Sequence, residues 1–221
     1  MTADDRRLAQ RCALGRVLII DDDPEILAAL RALVELEGYA CETYDSALAY
    51  LRTLTAGPAR FPGPSCLLCD VRLPEVDGLE LQRRLVGADE TPIILMSGVS
   101  GAPEAVSAFR AGALDFLIKP LDADALLATV VKALAVSSER QHQRARRCAL
   151  DARLAGLTER EREVARRVVA GQRNHEIAQT LGIALRTVKR HRQQVMEKLE
   201  VATLADLVHL LGEWRAVGTP W

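Results

Sequence analysis

Acidic, hydroxyl and ammonium groups stand directly behind four short apolar runs in the first 120 residues. Asp21, Asp22 and Asp23 follow VLII, Asp70 follows CLLC, Ser97 follows PIILM, and Lys119 follows LDFLI. If those runs are strands of one parallel sheet, these residues collect at its carboxyl edge, where such sheets place their sites. Asp21, Asp22 and Asp70 would then repel one another unless a divalent cation sat among them. Oxygen-only ligands of this kind suit Mg²⁺, which keeps several waters and bridges to phosphate. A carboxylate beside such an ion can attack a phosphoryl group and form an acyl phosphate. Of the three oxygens of the phosphoryl product, one can pair with Lys119, one can accept a hydrogen bond from Ser97, and one can bind Mg²⁺.

Plainer roles compete at several positions. Asp23 precedes Pro24 and suits a helix cap better than a ligand. Asp77 precedes Gly78, a turn or cap signal. Phe116 alone reads as core, and Ser97 alone as a loop serine. Cys66 and Cys69 form a C-x-x-C inside CLLC, where positions i and i+3 point to opposite faces of a strand. The pair therefore reads as packing and not as a zinc or redox site.

The elements that must position these groups alternate. VLII is a strand, and PEILAALRALVELEG a helix with an apolar stripe of Ile26, Leu27, Leu30, Leu33, Val34 and Leu36 and an exit at Gly38. YACETY and DSALAYLRTL repeat the pair. A proline- and glycine-rich loop (55–65) leads to CLLC, followed by a helix near 78–86, the strand PIILM, a helix near 102–111, the strand LDFLI and a helix from Asp122. Apolar strands each followed by a helix predict a doubly wound, five-stranded parallel sheet covered on both faces, an α/β fold.

After residue 136 the alternation stops. SSERQHQRARRCALDARLAGL is polar and basic, with weak apolar spacing at Leu150, Leu154 and Leu157, and reads as a helical linker extending the last helix of the first domain. A small all-α domain follows. Thr158 and Glu161 make a capping box, opening a helix with Val164, Val168 and Val169 on one side that ends near Gly171. Asn174 is expected to cap the next helix, with Ile177, Ala178 and Leu181 inward. Gly182 turns the chain into a third helix, roughly 185–199. Helix, glycine turn, helix is a helix-turn-helix. On the third helix Val188, Val195 and Leu199 fall at packing positions, while Lys189, Arg190, Arg192, Gln193 and Gln194 occupy the rest. Cations with amides on such a helix suit phosphates and major-groove base edges.

Length, 221 residues, fits two small domains, and the charge supports the division. The whole chain carries a formal net charge of −1, yet residues 1–136 hold 13 Lys+Arg against 20 Asp+Glu and the remainder 16 against 10. The first part is thus −7 and the second +6, which points the second at something anionic. At 49% apolar and 27% charged residues the composition is that of a folded protein. No apolar run reaches the ~18–20 residues of a membrane span, and the N-terminus lacks the apolar segment of a secretory signal. Five cysteines without a disulfide rhythm suit a reducing compartment, so a cytoplasmic location without a membrane partner is expected.

Residues 16–136 resemble the receiver domain of a two-component response regulator, through VLIIDDD, CDVRLPEVDGLEL, PIILMSG and LDFLIKP in that order. The resemblance implies Asp70 as phospho-acceptor, Asp22 as a direct Mg²⁺ ligand, Asp21 acting mainly through a metal-bound water, and the backbone carbonyl of Arg72 as the remaining protein ligand. It implies Ser97 and Phe116 as the switch pair and Lys119, before Pro120, as the phosphate-pairing cation. The C-terminal segment resembles the LuxR-type helix-turn-helix of the NarL/FixJ regulators, and RTVKRHRQQVMEK is nearest the FixJ branch. That implies Lys189, Arg190 and Gln193 directed into the major groove, with Thr187 and Arg192 nearer the DNA backbone. Two departures stand out: Ala184-Leu185 replaces the usual Ser-Pro before the recognition helix, and His175 replaces a lysine between Asn174 and Glu176.

The implied organisation is an N-terminal extension (1–15), a receiver (16–136), a helical linker (137–156) and a DNA-binding domain (157–221). The implied partners are a sensor histidine kinase, paired half-sites of double-stranded DNA, a second copy of the chain on phosphorylation, and RNA polymerase. Two classes compete: a protein-interaction switch whose basic domain binds no DNA, and an aspartate-nucleophile phosphatase, which would carry an aspartate two residues after the nucleophile as general acid; here that position is Arg72. A switch rather than an enzyme is expected.

Overall fold

A computed structural model describes residues 14–55, 61, 63–87, 90–98 and 102–216, the side chains of 55, 102 and 213–216 excepted. Most of the 1–15 extension, Cys12 included, and most of the 55–65 loop lie outside the described residues. The chain divides into two compact units between His142 and Gln143.

In the first unit β1 (Arg16–Ile20), β2 (Ala40–Tyr44), β3 (Ser65–Asp70), β4 (Ile93–Ser97) and β5 (Asp115–Ile118) form one sheet in the order β2-β1-β3-β4-β5. All pairs are parallel. The helices are α1 (Pro24–Leu36), α2 (Ala47–Thr55), α3 (Gly78–Leu85), α4 (Ala102–Arg110) and α5 (Ala123–Ala155), the last running on across the division. Strand alternation sorts the core into two layers. Val17, Ile19, Cys66, Leu68, Ile94 and Met96 face one way and pack against Leu30 and Val34 of α1 and Leu126, Val130 and Leu134 of α5. Leu18, Ile20, Leu67, Cys69 and Leu95 face the other way, onto Tyr50 of α2, Leu81 and Leu85 of α3 and Ala108 of α4. Cys66 and Cys69 therefore fill opposite layers, both fully buried, and burial pushes both thiols well above their ordinary pKa.

Asp23 caps α1, its Oδ1 accepting from the N–H groups of Glu25 at 2.8 Å and Ile26 at 3.4 Å, with Pro24 at the first helical position. One expectation fails in this helix: Leu36, placed in the inward stripe, is 82% exposed. Leu30 and Val34 are the buried residues of α1, with Ile26, Leu27 and Leu33 packed against the same core, and Leu36 is the last helical residue.

The second unit contains α6 (Glu159–Val169), α7 (Asn174–Leu181), α8 (Leu185–Lys198) and α9 (Leu204–Ala216). Leu157, Val164, Val168, Ile177, Val188, Val195, Leu199, Leu207 and Leu211 form its core, together with Leu154 from the end of α5. Thr158 and Glu161 make both bonds of the capping box on α6. The α7 start corrects an expectation. Asn174 is the first helical residue, and the cap position falls on Arg173, whose side chain makes no capping bond. Glu176 supplies the return half of a box, Oε2 accepting from the Arg173 N–H at 2.7 Å. The Asn174 side-chain amide oxygen, Oδ1, instead accepts from Arg192 of α8. Gly182, at φ +64°, takes the left-handed conformation that turns α7 into α8.

Candidate functional site

The sheet brings the carboxylates together as the strand order requires. β1 and β3 are neighbours, with Ile20 paired to Cys69, so Asp21 and Asp70 emerge side by side. One carboxylate oxygen from each of Asp21, Asp22 and Asp70 lies within 4.8 Å of the others. Asp21 is 1% exposed, Asp70 is also buried, and Asp22 is exposed. β4 and β5 add the other groups. Ser97 ends β4 in full burial, and its carbonyl accepts from the Lys119 N–H at 2.8 Å, fixing Lys119 at the same edge. The Lys119 ammonium donates to Asp21 Oδ2 at 2.7 Å and lies 3.3 Å from Asp70 Oδ1.

Electrostatics follow from this crowding. Burial pushes the Asp70 carboxyl above the usual carboxylate range, Lys119 pulls it back only in part, and Asp21 adds to the rise. Burial alone would lower Lys119, but the bond to Asp21 and the charge of Asp70 outweigh it and leave the ammonium above its ordinary value. Two buried carboxylates share one cation, so the cluster has unmet negative charge. Three convergent oxygen donors with one position open to water fit a hard divalent ion such as Mg²⁺.

The backbone behind Asp70 is tightly folded. Val71 N–H donates to the Met96 carbonyl at 2.8 Å and Gly78 N–H to the Val71 carbonyl at 2.9 Å. A Cβ on Gly78 would stand 2.4 Å from the Asp70 carbonyl oxygen; the D-G pair seen as a turn signal is also a close-approach site. Asp77 caps α3 by accepting from the Glu80 N–H at 2.6 Å. Phe116 is half-buried against the α2–α4 layer.

Glu104 also belongs to this site. Ser97 Oγ donates to its Oε2 at 3.3 Å, and Arg72 Nη2 lies 3.8 Å from its Oε1. In the sequence it is only an acid in the first turn of a helix, and nothing in that pattern points back to Ser97.

In the second unit Lys189, Arg190 and Gln193 are exposed along α8, while Thr187 and Arg192 are half-buried. Gln193 donates to Glu197 Oε1 at 2.9 Å. Ala184 holds the cap position of α8 without a side-chain bond, as its missing hydroxyl dictates.

Comparison with known proteins agrees with both halves. Residues 17–131 match the response regulator receiver domain family, and residues 155–211 match the bacterial regulatory proteins of the luxR family. The transcriptional regulatory protein FixJ of Azorhizobium caulinodans is 40% identical over 195 residues, 88% of this chain and 90% of that protein. The response regulator protein TodT of Pseudomonas putida is 34% identical over 206 residues, 93% and 88% of the two chains. Among solved structures, the response regulator StyR superposes with a TM-score of 0.79 at 36% identity, covering 90% of this chain and 98% of that one. Full-length FixJ from B. japonicum gives 0.55 at 33% identity, covering 94% and 100%. An acidic pocket at the carboxyl edge of a receiver sheet, joined in one chain to a LuxR-type helix-turn-helix, thus makes this protein a two-component response regulator of the family of DNA-binding transcription regulators to which FixJ belongs.

Proposed function

We propose that a sensor histidine kinase transfers a phosphoryl group to Asp70 and that the modification switches the C-terminal domain toward promoter DNA. The observation that carries this reading is the shared ammonium: Lys119 lies against both Asp21 and Asp70, beside a third carboxylate, at the edge of a parallel sheet. Asp21, Asp22, Asp70 and the Arg72 carbonyl would hold Mg²⁺, Asp21 acting mainly through a bound water. The ion would supply charge neutralisation for an anionic phosphodonor.

The chain's own groups do the rest. Asp70 attacks as the ionised carboxylate. Lys119, already close to Asp70 Oδ1, pairs with the new phosphoryl oxygen in place of its bond to Asp21. Ser97 turns its hydroxyl toward the phosphoryl group, and Phe116 moves with it. No acid stands two residues after Asp70, where Arg72 lies, so the acyl phosphate persists as a signal and the protein acts as a switch rather than an enzyme.

The receiver spans 16–136, the linker 137–156 and the effector 157–221, following the extension 1–15. On the effector Lys189, Arg190 and Gln193 read bases, which their exposure along the recognition helix supports, and the half-buried Thr187 and Arg192 of the same helix contact the backbone. Phosphorylation reshapes the face of α4, β5 and α5, where Val106, Phe109, Ile118 and Val131 are exposed apolar residues. That face forms the homodimer that binds paired half-sites about one helical turn apart, in contact with RNA polymerase. Among the described residues no helix is long and apolar enough to cross a membrane, in keeping with a cytoplasmic regulator. Labelling with acetyl phosphate and Mg²⁺ tests the site: wild type is labelled and Asp70→Asn is not, and a variant labelled to the same stoichiometry contradicts the assignment.

A further inference from the structure

We infer that Glu104 is a positioning residue that holds the Ser97 hydroxyl in a resting orientation, and that phosphoryl transfer must break this bond. The inference rests on Asp70 being the phospho-acceptor. Ser97 Oγ donates to Glu104 Oε2 at 3.3 Å from a fully buried position. A serine hydroxyl carries one proton, so it cannot donate to Glu104 and to a phosphoryl oxygen on Asp70 at once. A carboxylate is also the strongest class of neutral-donor acceptor available, although the distance is long for a hydroxyl–carboxylate bond and limits the restraint to a modest one.

Three elements meet in this carboxylate. Its Oε2 holds Ser97 at the end of β4, and its Oε1 lies 3.8 Å from Arg72 in the loop that follows Asp70. It is itself carried by the first turn of α4. The Arg72 pair contributes little, because Arg72 is 65% exposed and its charge is screened. Its role is to orient the carboxylate, and the restraint proper is the bond to Ser97. When the hydroxyl turns to the phosphoryl group, the first turn of α4 loses its tie to β4. The same helix bears the exposed Val106 and Phe109, so the release acts directly on an apolar face.

The test is the rate of acetyl phosphate labelling of the full chain in Mg²⁺. Without Glu104 the hydroxyl proton no longer has to leave that carboxylate during the transfer. Glu104→Leu is expected to be labelled about three- to tenfold faster than wild type, the size of one modest hydrogen bond. Glu104→Gln keeps an acceptor oxygen for Ser97 and stays close to wild type. In a Ser97→Ala background the acceleration by Glu104→Leu disappears. A wild-type rate in Glu104→Leu overturns the inference, as does equal acceleration by Gln and Leu, which would mean simple charge repulsion of the donor, or acceleration that survives Ser97→Ala. Asp70→Asn separates the two levels. Labelling that persists in it defeats the acceptor assignment, whereas labelling that needs Asp70 but ignores Glu104 defeats this inference alone.

Discussion

Lys119 Nζ lies 2.7 Å from Oδ2 of Asp21, a carboxylate only 1% exposed, and this pair is the electrostatic hinge of the receiver site. Removing one partner of a buried pair strands the other charge, which typically costs about 3–5 kcal/mol. Lys119→Met should therefore lower the unfolding free energy of the receiver by roughly 3 kcal/mol in denaturant titrations. The loss has a defined pH dependence. Asp70 already sits above the usual carboxylate range through burial, with Lys119 opposing the rise, so the variant raises it further. A carboxyl whose folded pKa exceeds its unfolded one is destabilising while ionised and is relieved as pH falls through the folded value. The deficit of Lys119→Met against wild type should shrink on acidification; a deficit independent of pH contradicts the coupling.

The acidic cluster predicts a metal response that can be read without any reaction. A ligand that binds only the folded state raises stability by mass action. Mg²⁺ should raise the thermal midpoint of the wild-type receiver, and chelation should remove the gain. Asp22 is exposed and outside the core, so Asp22→Asn should fold normally and show a much reduced Mg²⁺ shift. An undiminished shift would place the ion elsewhere.

In the effector, Glu161 ties two helices together. Its Oε2 accepts from the Thr158 N–H at 2.7 Å and from Lys198 Nζ, at the end of α8, at 2.6 Å. Burial alone would raise this carboxyl, but the Lys198 bond and those from Thr158 outweigh it and hold it below its ordinary value. A depressed folded pKa gives stability that is present above the unfolded value of about 4.3 and lost as pH falls through the folded one. Glu161→Ala should cost about 2 kcal/mol at neutral pH, and Glu161→Gln should flatten the acid limb of the stability curve. Thermal or denaturant melts between pH 3 and 7 check both.

The start of α8 is open to improvement. Ala184 occupies the cap with φ −67° and ψ 145°, an extended conformation any capping residue adopts, and its side chain makes no bond. Ala184→Ser should place a hydroxyl where it can accept from the N–H of Arg186 or Thr187 and should stabilise the effector by about 0.5–2 kcal/mol, visible as a raised melting temperature.

Much of this was legible in the sequence because the signals were local. The apolar runs and the polar residue behind each one are enough to place Asp21, Asp70, Ser97 and Lys119 at one sheet edge, and the Thr158–Glu161 box opens α6 as its spacing predicts. The failures came where a distant partner intervened. Asn174 looks like a cap, but it is the first helical residue and its side-chain amide oxygen accepts from Arg192, eighteen residues on. Leu36 fits the helical stripe of α1, but it is the last residue of the helix and stands exposed. Glu104 is an ordinary first-turn acid until the fold sets it against Ser97 and Arg72.

Readout by the effector separates two kinds of contact. Lys189→Ala and Arg190→Ala should each cost about 1–3 kcal/mol of discrimination against the wrong base, whereas Arg192→Ala should weaken all sequences alike and reduce the salt slope by about 0.9. Quantitative binding at several salt concentrations distinguishes the two.

The central claim, that a phosphoryl group on Asp70 governs DNA binding, is tested most directly by footprinting the full chain on genomic fragments with and without acetyl phosphate and Mg²⁺, in wild type and Asp70→Asn. Protection that strengthens with the donor in wild type and stays at its basal level in Asp70→Asn is the predicted result. An equal response in both proteins, or no response in either while Asp70 is fully labelled, would contradict it.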